Sequence, residues 1–302
     1  MIDHDTHHDV PIWKIGAQHE LMLDQPWLMG ILNVTPDSFS DGGLFYKPAR
    51  AVGRALRMIN EGAAIIDVGG ESTRPGAQRI GAAEQIDRTA PVIEELRRHA
   101  DVIVSIDTTR SAVAEAALDA GAHIVNDVSA GREDDAMLPL AAARGCGIVL
   151  MHRLRPPPAD SYSDRYDEAP AYGDVVRDVA DFLRERAEAA IAAGVGHDAI
   201  VLDPGLGFGK SVEQNFELIA RTGELVETGY PVLSGASRKS FIGKASAVEA
   251  PLQRLHGSIA VSVAHWLAGV RLFRVHDVAA HAQALAVARA IAPRAASWRT
   301  IS

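Results

Sequence analysis

The sequence predicts an α/β protein, a single (β/α)8 TIM barrel preceded by a short N-terminal hairpin. Eight short apolar runs, bounded by Gly, Pro or Asp, alternate with Ala-, Leu- and Arg-rich stretches of helical spacing. The 302 residues suit one such barrel, whereas a doubly wound sheet usually has fewer strands and a glycine fingerprint near its start. A polar side chain also stands at the end of each run, which is typical of barrel enzymes.

The N-terminal residues divide into a tail and a hairpin. Met1–Val10 is rich in His and Asp and has no apolar segment, so we expect a disordered polar tail and no signal peptide. The stretch from about Ile12 to Leu23 is predicted to form a hairpin that closes the barrel bottom. Residues 11–302 are predicted to be one domain, because no repeat, low-complexity tract or linker divides them.

We interpret the eight apolar runs as strands buried on both faces, the pattern of a parallel sheet. The predicted strands are Leu28–Val34, Ala63–Val68, Val102–Ile106, His123–Val128, Gly147–Met151, Ala199–Leu202, Pro231–Ser234 and Arg271–Val275. The helices with the clearest spacing are Ala49–Asn60, Glu84–His99, Ser111–Ala120 and Asp174–Ala193. Arg153–Tyr172, with three consecutive prolines, is predicted to be a long surface loop.

Charge and cysteine content restrict the partners and the compartment. The formal net charge is −9 and no long basic run interrupts it, which argues against nucleic acid and against an anionic membrane surface. No apolar stretch is long enough to span a membrane. The single cysteine, Cys146, excludes an internal disulfide and lies in an apolar run, so we expect a buried thiol and a cytoplasmic protein.

The polar strand ends predict the position of an active site. The carboxyl ends of barrel strands converge, and barrel enzymes build their sites there. A single polar strand end would be a turn residue or a helix cap, but eight together favour function. In order the ends present Asn33, Asp67, Asp107, Asn126, His152, Asp203, the turn Ser237–Ser240, and Arg274 with His276.

Two early loops are candidates for binding. Asn33–Gly43 combines turn residues with Phe39, an unusual choice for solvent, and is predicted to be a lid over the site. Gly69–Gly76 offers Arg74 on a glycine-flanked turn, and an arginine fork suits the oxygens of a phosphate.

Three later segments refine the chemistry. Asp203–Ser211 ends like a nucleotide-binding P-loop, but its first glycine is one residue too close, so we reject a nucleoside triphosphatase. Ser234–Gly243 runs into a helix whose free N–H groups would attract an anion near Ser240. Arg274 and His276 alternate along the last strand, so both can face the same ligand.

The carboxylates at the strand ends suit a particular kind of ring. A carboxylate can accept two parallel hydrogen bonds, one from a ring N–H and one from the exocyclic amine beside it, as guanine or a pterin offers.

Taken together, these segments resemble the dihydropteroate synthase family. The matching stretches are Gly30–Gly43, Asp67–Ala77, Ser105–Thr108, Ile124–Asp127, Asp203–Lys210, Gly235–Gly243 and Phe273–Val278. The resemblance implies an enzyme of folate biosynthesis that joins a dihydropterin pyrophosphate to p-aminobenzoate and releases pyrophosphate. It also implies small-molecule substrates, Mg²⁺ as cofactor and a homodimer.

The resemblance assigns each candidate residue a role. Pterin binding falls to Asp67, Asp107, Asn126, Asp203 and Lys239, and pyrophosphate binding to Thr73, Arg74, Arg274 and His276. Phe39, Pro75, Phe208 and Ser240 would form the p-aminobenzoate pocket, and Asn33 would coordinate Mg²⁺. Catalysis would depend on Asp107, Asp203, Lys239 and Arg274.

One departure and two alternatives remain. The family often continues after Met151-His152 with an Arg-Gly-x-Pro-type segment, whereas this chain has Arg153-Leu154-Arg155 and three prolines. A methyltetrahydrofolate-binding domain of a corrinoid methyltransferase would share the pterin-binding residues but would not need the Thr73-Arg74 turn. A pterin-binding paralogue without synthase activity is the second alternative.

Overall fold

A computed structural model describes residues 11–16, 19–35 and 48–298, without the side chains of residues 292–298. The chain begins with an antiparallel hairpin of β1 (Ile12–Ile15) and β2 (His19–Met22). The predicted tail Met1–Val10 lies outside the described residues.

Eight parallel strands follow and form a nearly closed barrel. They are β3 (Trp27–Asn33), β4 (Ile65–Gly69), β5 (Ile103–Asp107), β6 (Ile124–Asp127), β7 (Gly147–Met151), β8 (Ile200–Asp203), β9 (Leu233–Ser234) and β10 (Leu272–Val275). Their order is β8-β7-β6-β5-β4-β3-β10-β9. A parallel bridge between Leu202 and Val232 joins β8 to the segment entering β9 and so connects the two edges. The predicted barrel is confirmed, with each strand end within two residues of its predicted position.

Helices form the outer layer of the barrel. They are α1 (Pro48–Asn60), α2 (Ala82–His99), α3 (Ser111–Asp119), α4 (Met137–Arg144), α5 (Val175–Ala192), α6 (Val212–Ala220), α7 (Thr222–Val226), α8 (Ser240–Ser246), α9 (Leu255–Leu267) and α10 (Val278–Trp298). In α1 the buried residues are Ala51, Val52, Ala55 and Met58, the spacing of one helix face. The main apolar core lies between such faces and the outward side chains of the strands.

The hairpin closes the bottom of the barrel, as predicted. Burial alternates along β1, so Trp13 and Ile15 point inward while Ile12 and Lys14 face solvent. The indole N–H of Trp13 donates to the backbone oxygen of Ala199, at 3.0 Å, just before β8 begins. These residues form a second apolar cluster with side chains from the lower ends of the strands.

The segment 153–172 is more tightly packed than its predicted description as a surface loop implies. Asp160 is buried and accepts a hydrogen bond from the backbone N–H of Gly209 at 3.0 Å. The hydroxyl of Tyr166 donates to the other carboxylate oxygen of Asp160, and the hydroxyl of Tyr172 donates to the oxygen of Gly209 at 2.9 Å. The fifth loop therefore supports the loop that follows β8.

Two predictions from composition can be compared with the structure. Cys146 is a free, buried thiol, as predicted, and burial raises its pKa to about 11, which makes it a poor nucleophile. In the part of the chain that the structure describes, no helix is both long and apolar enough to cross a membrane.

Candidate active site

Four strand-end side chains meet at the carboxyl end of the barrel, and we name them the floor cluster: Asp67, Asp107, Asn126 and Arg274. The guanidinium of Arg274 donates from Nε to Oδ2 of Asp67 at 2.6 Å and from Nη2 to Oδ2 of Asp107 at 2.7 Å. The amide of Asn126 donates to the same Oδ2 of Asp67 at 3.1 Å. The parallel barrel brings together residues that lie up to 207 positions apart in sequence.

The floor cluster is not saturated by its own hydrogen bonds. Oδ1 of Asp67 and Oδ1 of Asp107 are buried and have no hydrogen-bond partner among the described residues. Burial raises the pKa of Asp107 to about 7, although the charge of Arg274 acts to lower it. Buried polar atoms are normally paired, so two open carboxylate oxygens indicate a place for a polar ligand.

A second charged pair lies beside the floor cluster. Asp203 is buried, which raises its pKa, and its Oδ1 accepts from the backbone N–H of Gly205 at 2.7 Å. Burial lowers the pKa of Lys239 to about 7, and the charge of Arg274 acts in the same direction. The ammonium of Lys239 lies 3.7 Å from the ring centroid of Phe208, a cation–π contact. An aromatic face thus stands next to carboxylates and a cation.

The loop after β8 reaches this position only because two of its residues are glycines. Gly205 has φ +66°, and a Cβ there would lie 1.8 Å from the backbone oxygen of His152. Gly207 has φ +81°, and its Cβ would lie 2.9 Å from Cδ of Lys239. Any side chain at these positions would clash or strain the backbone, so the glycines allow the close approach.

Lys210 has a structural role in the same loop. Its ammonium is completely buried and donates to the backbone oxygens of Gly205 and Phe208 at 3.1 and 3.0 Å. Nδ1 of His152 lies 2.9 Å from it and accepts the third hydrogen bond, because burial keeps the pKa of His152 well below its usual value and the ring neutral. The lysine that suggested a P-loop is therefore used within its own loop.

His276 is held as a neutral hydrogen-bond donor. The hydroxyl of Ser237 accepts from the backbone N–H of His276 at 3.2 Å and lies 3.0 Å from its Nδ1. A neutral imidazole has one N–H donor and one acceptor nitrogen, and the Ser237 hydroxyl is the hydrogen-bond partner of Nδ1. Burial lowers the pKa of His276 to about 2. The positive charges that lower it further belong to Arg238, Arg274, Arg74 and Lys239.

The loop between β4 and α2 carries three more predicted residues. Arg74 is exposed and forms no ion pair within the described ranges, while Thr73 and Pro75 are partly buried. The backbone N–H of Gly76 donates to the oxygen of Pro157 at 2.7 Å, which ties this loop to the fifth loop. Arg74 is also one of the four cations whose charge acts on His276, so positive groups surround that ring, as capture of an anion requires.

Comparisons with known proteins match this geometry. The family model for pterin binding enzymes matches residues 29–276. The dihydropteroate synthase of Mycobacterium leprae is 48% identical over 266 residues, which cover 86% of this chain and 91% of the relative. The chain belongs to the dihydropteroate synthase family. The predicted resemblance is confirmed, and the corrinoid methyltransferase alternative loses its support.

Solved structures of the family agree in fold. Xanthomonas albilineans dihydropteroate synthase with 4-aminobenzoic acid has a TM-score of 0.85 and 43% identity, over 93% of this chain and 98% of that one. The Thermus thermophilus enzyme in complex with 6HMPPP has a TM-score of 0.78 and 42% identity, over 93% and 99%. The similarity extends over almost the whole length of both family members.

The structure brings most of the predicted site residues together. Asp203, Lys239 and Phe208 adjoin the floor cluster, and Ser240 is buried at the first residue of α8. Arg274, predicted for pyrophosphate, pairs directly with two carboxylates assigned to the pterin. His152 points to Lys210 and its loop. Phe39 lies outside the described residues.

Some contacts were not predicted from the sequence. Arg238, which lies in the predicted turn Ser237–Ser240, donates from Nε to Oδ2 of Asp277 at 2.9 Å. The Ser237–His276 contact joins residues 39 positions apart, and no spacing rule indicates such a pair. Ser237 was recognised only as part of a turn, and its effect on the His276 ring was missed.

Asn33 could serve as a ligand in a magnesium site that contains few protein donors. Its side chain is partly buried at the end of β3 and has no partner within the described segments. A Cβ on Gly69 would lie 3.6 Å from Oδ1 of Asn33 and 3.6 Å from Cβ of Asp107, so the glycine leaves space between them. Mg²⁺ commonly takes one or two protein oxygens and completes its shell with water and phosphate. Across the described residues, no group of three or more His, Cys, Asp or Glu could hold a metal.

Proposed function

We propose that this chain is a dihydropteroate synthase that condenses 6-hydroxymethyl-7,8-dihydropterin pyrophosphate with p-aminobenzoate. The products are 7,8-dihydropteroate and pyrophosphate, in folate biosynthesis. The observation that carries the proposal is the unsaturated floor cluster beside a group of cations, in a chain that belongs to this family. The family members with 4-aminobenzoic acid and 6HMPPP support the two substrates.

The carboxylates of the floor bind the pterin. Oδ1 of Asp107 and Oδ1 of Asp67 are open to the adjacent N–H groups of the ring, and Asn126 serves a neighbouring edge. Asp203 and Lys239 complete the polar contacts, and Phe208 covers an aromatic face. Because Asp107 titrates near neutrality, it can accept a ring proton or share one.

The cationic side of the site receives the pyrophosphate. Thr73, Arg74, Arg274 and His276 are the proposed contacts. The neutral His276 would donate from Nε2–H, with its Nδ1 accepting from the Ser237 hydroxyl. The net charge of −9 would repel an anionic substrate, so local cations must capture it. Asn33 would hold Mg²⁺, which neutralises charge on the departing pyrophosphate when it is bound.

The reaction requires departure and attack at one methylene carbon. The C–O bond to pyrophosphate breaks with its electron pair on oxygen, and the amine lone pair of p-aminobenzoate forms the new C–N bond. The carboxylates of Asp107 and Asp203 stabilise the positive charge that develops on the pterin, because they lie in a buried site. The arylamine is unprotonated near pH 7, so no strong base is needed and its surplus proton leaves to solvent. Phe39, Pro75, Phe208 and Ser240 form the proposed p-aminobenzoate pocket.

We also propose a cytoplasmic homodimer whose subunit has a single pterin-binding domain at residues 11–302. Leu267 on α9 and Val287 and Ile291 on α10 are 55%, 62% and 52% exposed, an apolar surface that a second copy would cover. The free thiol of Cys146 suits a reducing compartment.

A direct assay separates the synthase from a silent paralogue. Purified protein is incubated with Mg²⁺, dihydropterin pyrophosphate and p-aminobenzoate, and dihydropteroate and pyrophosphate are quantified by chromatography. We expect equimolar products, dependent on both substrates. Product at the level of a no-enzyme control, from protein that still binds the pterin substrate by calorimetry, would establish the inactive paralogue instead.

A further inference from the structure

Five side chains above the floor cluster form a second ionic network, which we name the rim brace. They come from the loops that follow four successive strands, β4, β5, β6 and β7. None was a candidate from the strand-end pattern. The rim brace consists of Glu71, Arg79, Thr109, Glu133 and Arg153.

Glu133 is the centre of the rim brace. Its Oε2 accepts from Nη1 of Arg79 and from the hydroxyl of Thr109, each at 2.7 Å. Its Oε1 forms an ion pair with Nη2 of Arg153. The hydroxyl of Thr109 in turn accepts from Nη2 of Arg79 at 2.8 Å, so the contacts close a ring.

The rim brace also joins both ends of the loop that carries Thr73 and Arg74. Nε of Arg79 lies 3.0 Å from Oε2 of Glu71, and the backbone N–H of Ile80 donates to Oε1 of Glu71 at 2.7 Å. The loop is therefore clamped at residues 71 and 79–80. Its middle is held by the Gly76–Pro157 hydrogen bond described above.

The carboxylates of the rim brace are all paired within the network, although the buried Nε of Arg79 makes only an ion pair and no hydrogen bond among the described residues. All four carboxylate oxygens of Glu71 and Glu133 have a partner, and two arginines balance the two carboxylates. Burial alone would raise the pKa of Glu133, but hydrogen bonds from Thr109 and Arg79 and the charge of Arg153 hold it below its usual value. A small cavity of about 10 Å³ separates the network from Asp107 and has Thr73 on its wall.

We propose that the rim brace positions the loop 71–80, so that Thr73 lies beside Asp107 and Arg74 lies near His276 before substrate arrives. Arg79, Glu133 and Arg153 act as positioning residues, without substrate contact. The inference rests on the proposed function in one respect, the assignment of Thr73 and Arg74 to pyrophosphate. It also gives the unusual fifth loop a role, because Arg153 and Pro157 both belong to it.

Glu133→Gln tests the role in catalysis. The substitution keeps the shape of the side chain but places an N–H donor where an arginine donates. A loosened loop is competent for only a fraction of the time, so we expect KM for dihydropterin pyrophosphate to rise about tenfold while kcat changes less than about twofold. Asp119→Asn is the matched control, because it breaks an exposed ion pair with Arg144 far from the rim. An unchanged KM in Glu133→Gln would overturn the proposal.

Hydrogen exchange tests the same inference without any activity. In Glu133→Gln we expect faster exchange at the amides of Gly76 and Ile80, with the amides of β5 unchanged. Thr109→Val should act in the same direction, whereas Thr109→Ser keeps the hydroxyl and should restore the wild-type rate and KM. Unchanged exchange at both loop amides would refute the brace even if the enzyme were active. Faster exchange in an enzyme that makes no product would support the brace and reject the synthase.

Discussion

The floor cluster and the rim brace are both networks of carboxylates and arginines at strand ends, yet they differ in completeness. In the floor cluster Arg274 serves two buried carboxylates, and each keeps an oxygen with no partner in the described part of the chain. In the rim brace every carboxylate oxygen is paired. Within the described residues the rim brace has one buried nitrogen without a hydrogen bond, Nε of Arg79, but its carboxylates are paired. Pairing of the carboxylate oxygens distinguishes the network that supports a loop from the one that awaits a ligand.

The pKa values of the two regions move in opposite directions. Burial raises the pKa of Asp107 to about 7, because one shared guanidinium does not compensate for the loss of water. The pKa of Glu133 is lowered, because two arginines and a hydroxyl outweigh its partial burial. The ionised form of Asp107 is therefore destabilised in the floor cluster, and a substrate that donates hydrogen bonds to it can stabilise it. The ionised form of Glu133 is already stabilised by the partners it has in the rim brace.

The largest effect should follow removal of the cation from the floor. Arg274→Ala leaves Asp67 and Asp107 buried without their shared partner, so we expect a loss of at least about 2 kcal/mol of transition-state stabilisation, or 30-fold in kcat/KM. Lys239→Ala should lose a similar amount. Steady-state kinetics with Arg144→Ala as a surface control measures it. Near-normal kcat/KM in both floor variants would refute the assignment of these residues.

An effect of no more than similar size, a gain in stability instead of a loss of activity, is expected at Asp107. Its raised pKa means that this side chain binds more protons in the folded state than in the unfolded chain between about pH 4 and pH 7, so its own contribution to stability falls as pH rises through this window. The buried histidines, whose pKa values are lowered, contribute in the opposite direction and are the same in wild type and variant. In Asp107→Asn the free energy of unfolding should depend less on pH between about pH 4 and pH 7. At pH 7 it should be higher than in wild type by about 2 kcal/mol, while activity should be lower.

Urea unfolding of wild type and Asp107→Asn at pH 4 and pH 7 measures the difference. Part of the pH dependence should remain in the variant, because burial raises the pKa of Asp203 as well. Lys239, with its pKa lowered to about 7, affects stability mainly above pH 7 and leaves this window clear. A variant that is less stable than wild type at pH 7 would mean that the ionised Asp107 is favourable in the fold.

The smallest effect should come from one arm of the rim brace. Glu71→Gln removes a charge from a network whose arginine is 24% exposed, so the free energy of unfolding should fall by less than about 1 kcal/mol. The KM increase should be smaller than in Glu133→Gln, because the central contacts of Glu133 remain. A stability loss of about 3 kcal/mol or more in Glu71→Gln would mean that the rim brace stabilises the whole fold. It would then no longer differ from the floor cluster by acting only on a loop.

The barrel and most of the site could be predicted because strands carry local patterns. Runs such as Gly147–Met151 are apolar throughout, so their burial on both faces follows from composition alone. Asp107 and Asn126 could be placed at one end of the barrel, because parallel strands in a barrel share a carboxyl end. The buried state of Cys146 followed from its apolar neighbours in the same way.

Contacts between distant side chains could not be predicted. Lys210 was recognised as a false P-loop lysine, but its partner His152 lies 58 residues away. Arg153 stood out only as a departure from the family pattern, and its pairing with Glu133 depends on how two loops pack. The ion pairs of Arg274 with Asp67 and Asp107 could not be predicted for the same reason.

The sequence by itself determined the barrel, the hairpin that closes it and the ring of polar strand ends, because these depend on periodicity and on residue type. Only the tertiary structure decided which charges share a partner and which oxygens stay open. Burial and pairing set the pKa of Asp107 and Glu133, and both depend on distances between segments that are remote in sequence. The local sequence pattern thus places a side chain on the barrel. Packing then sets its pKa and decides which of its oxygens remain available to a ligand.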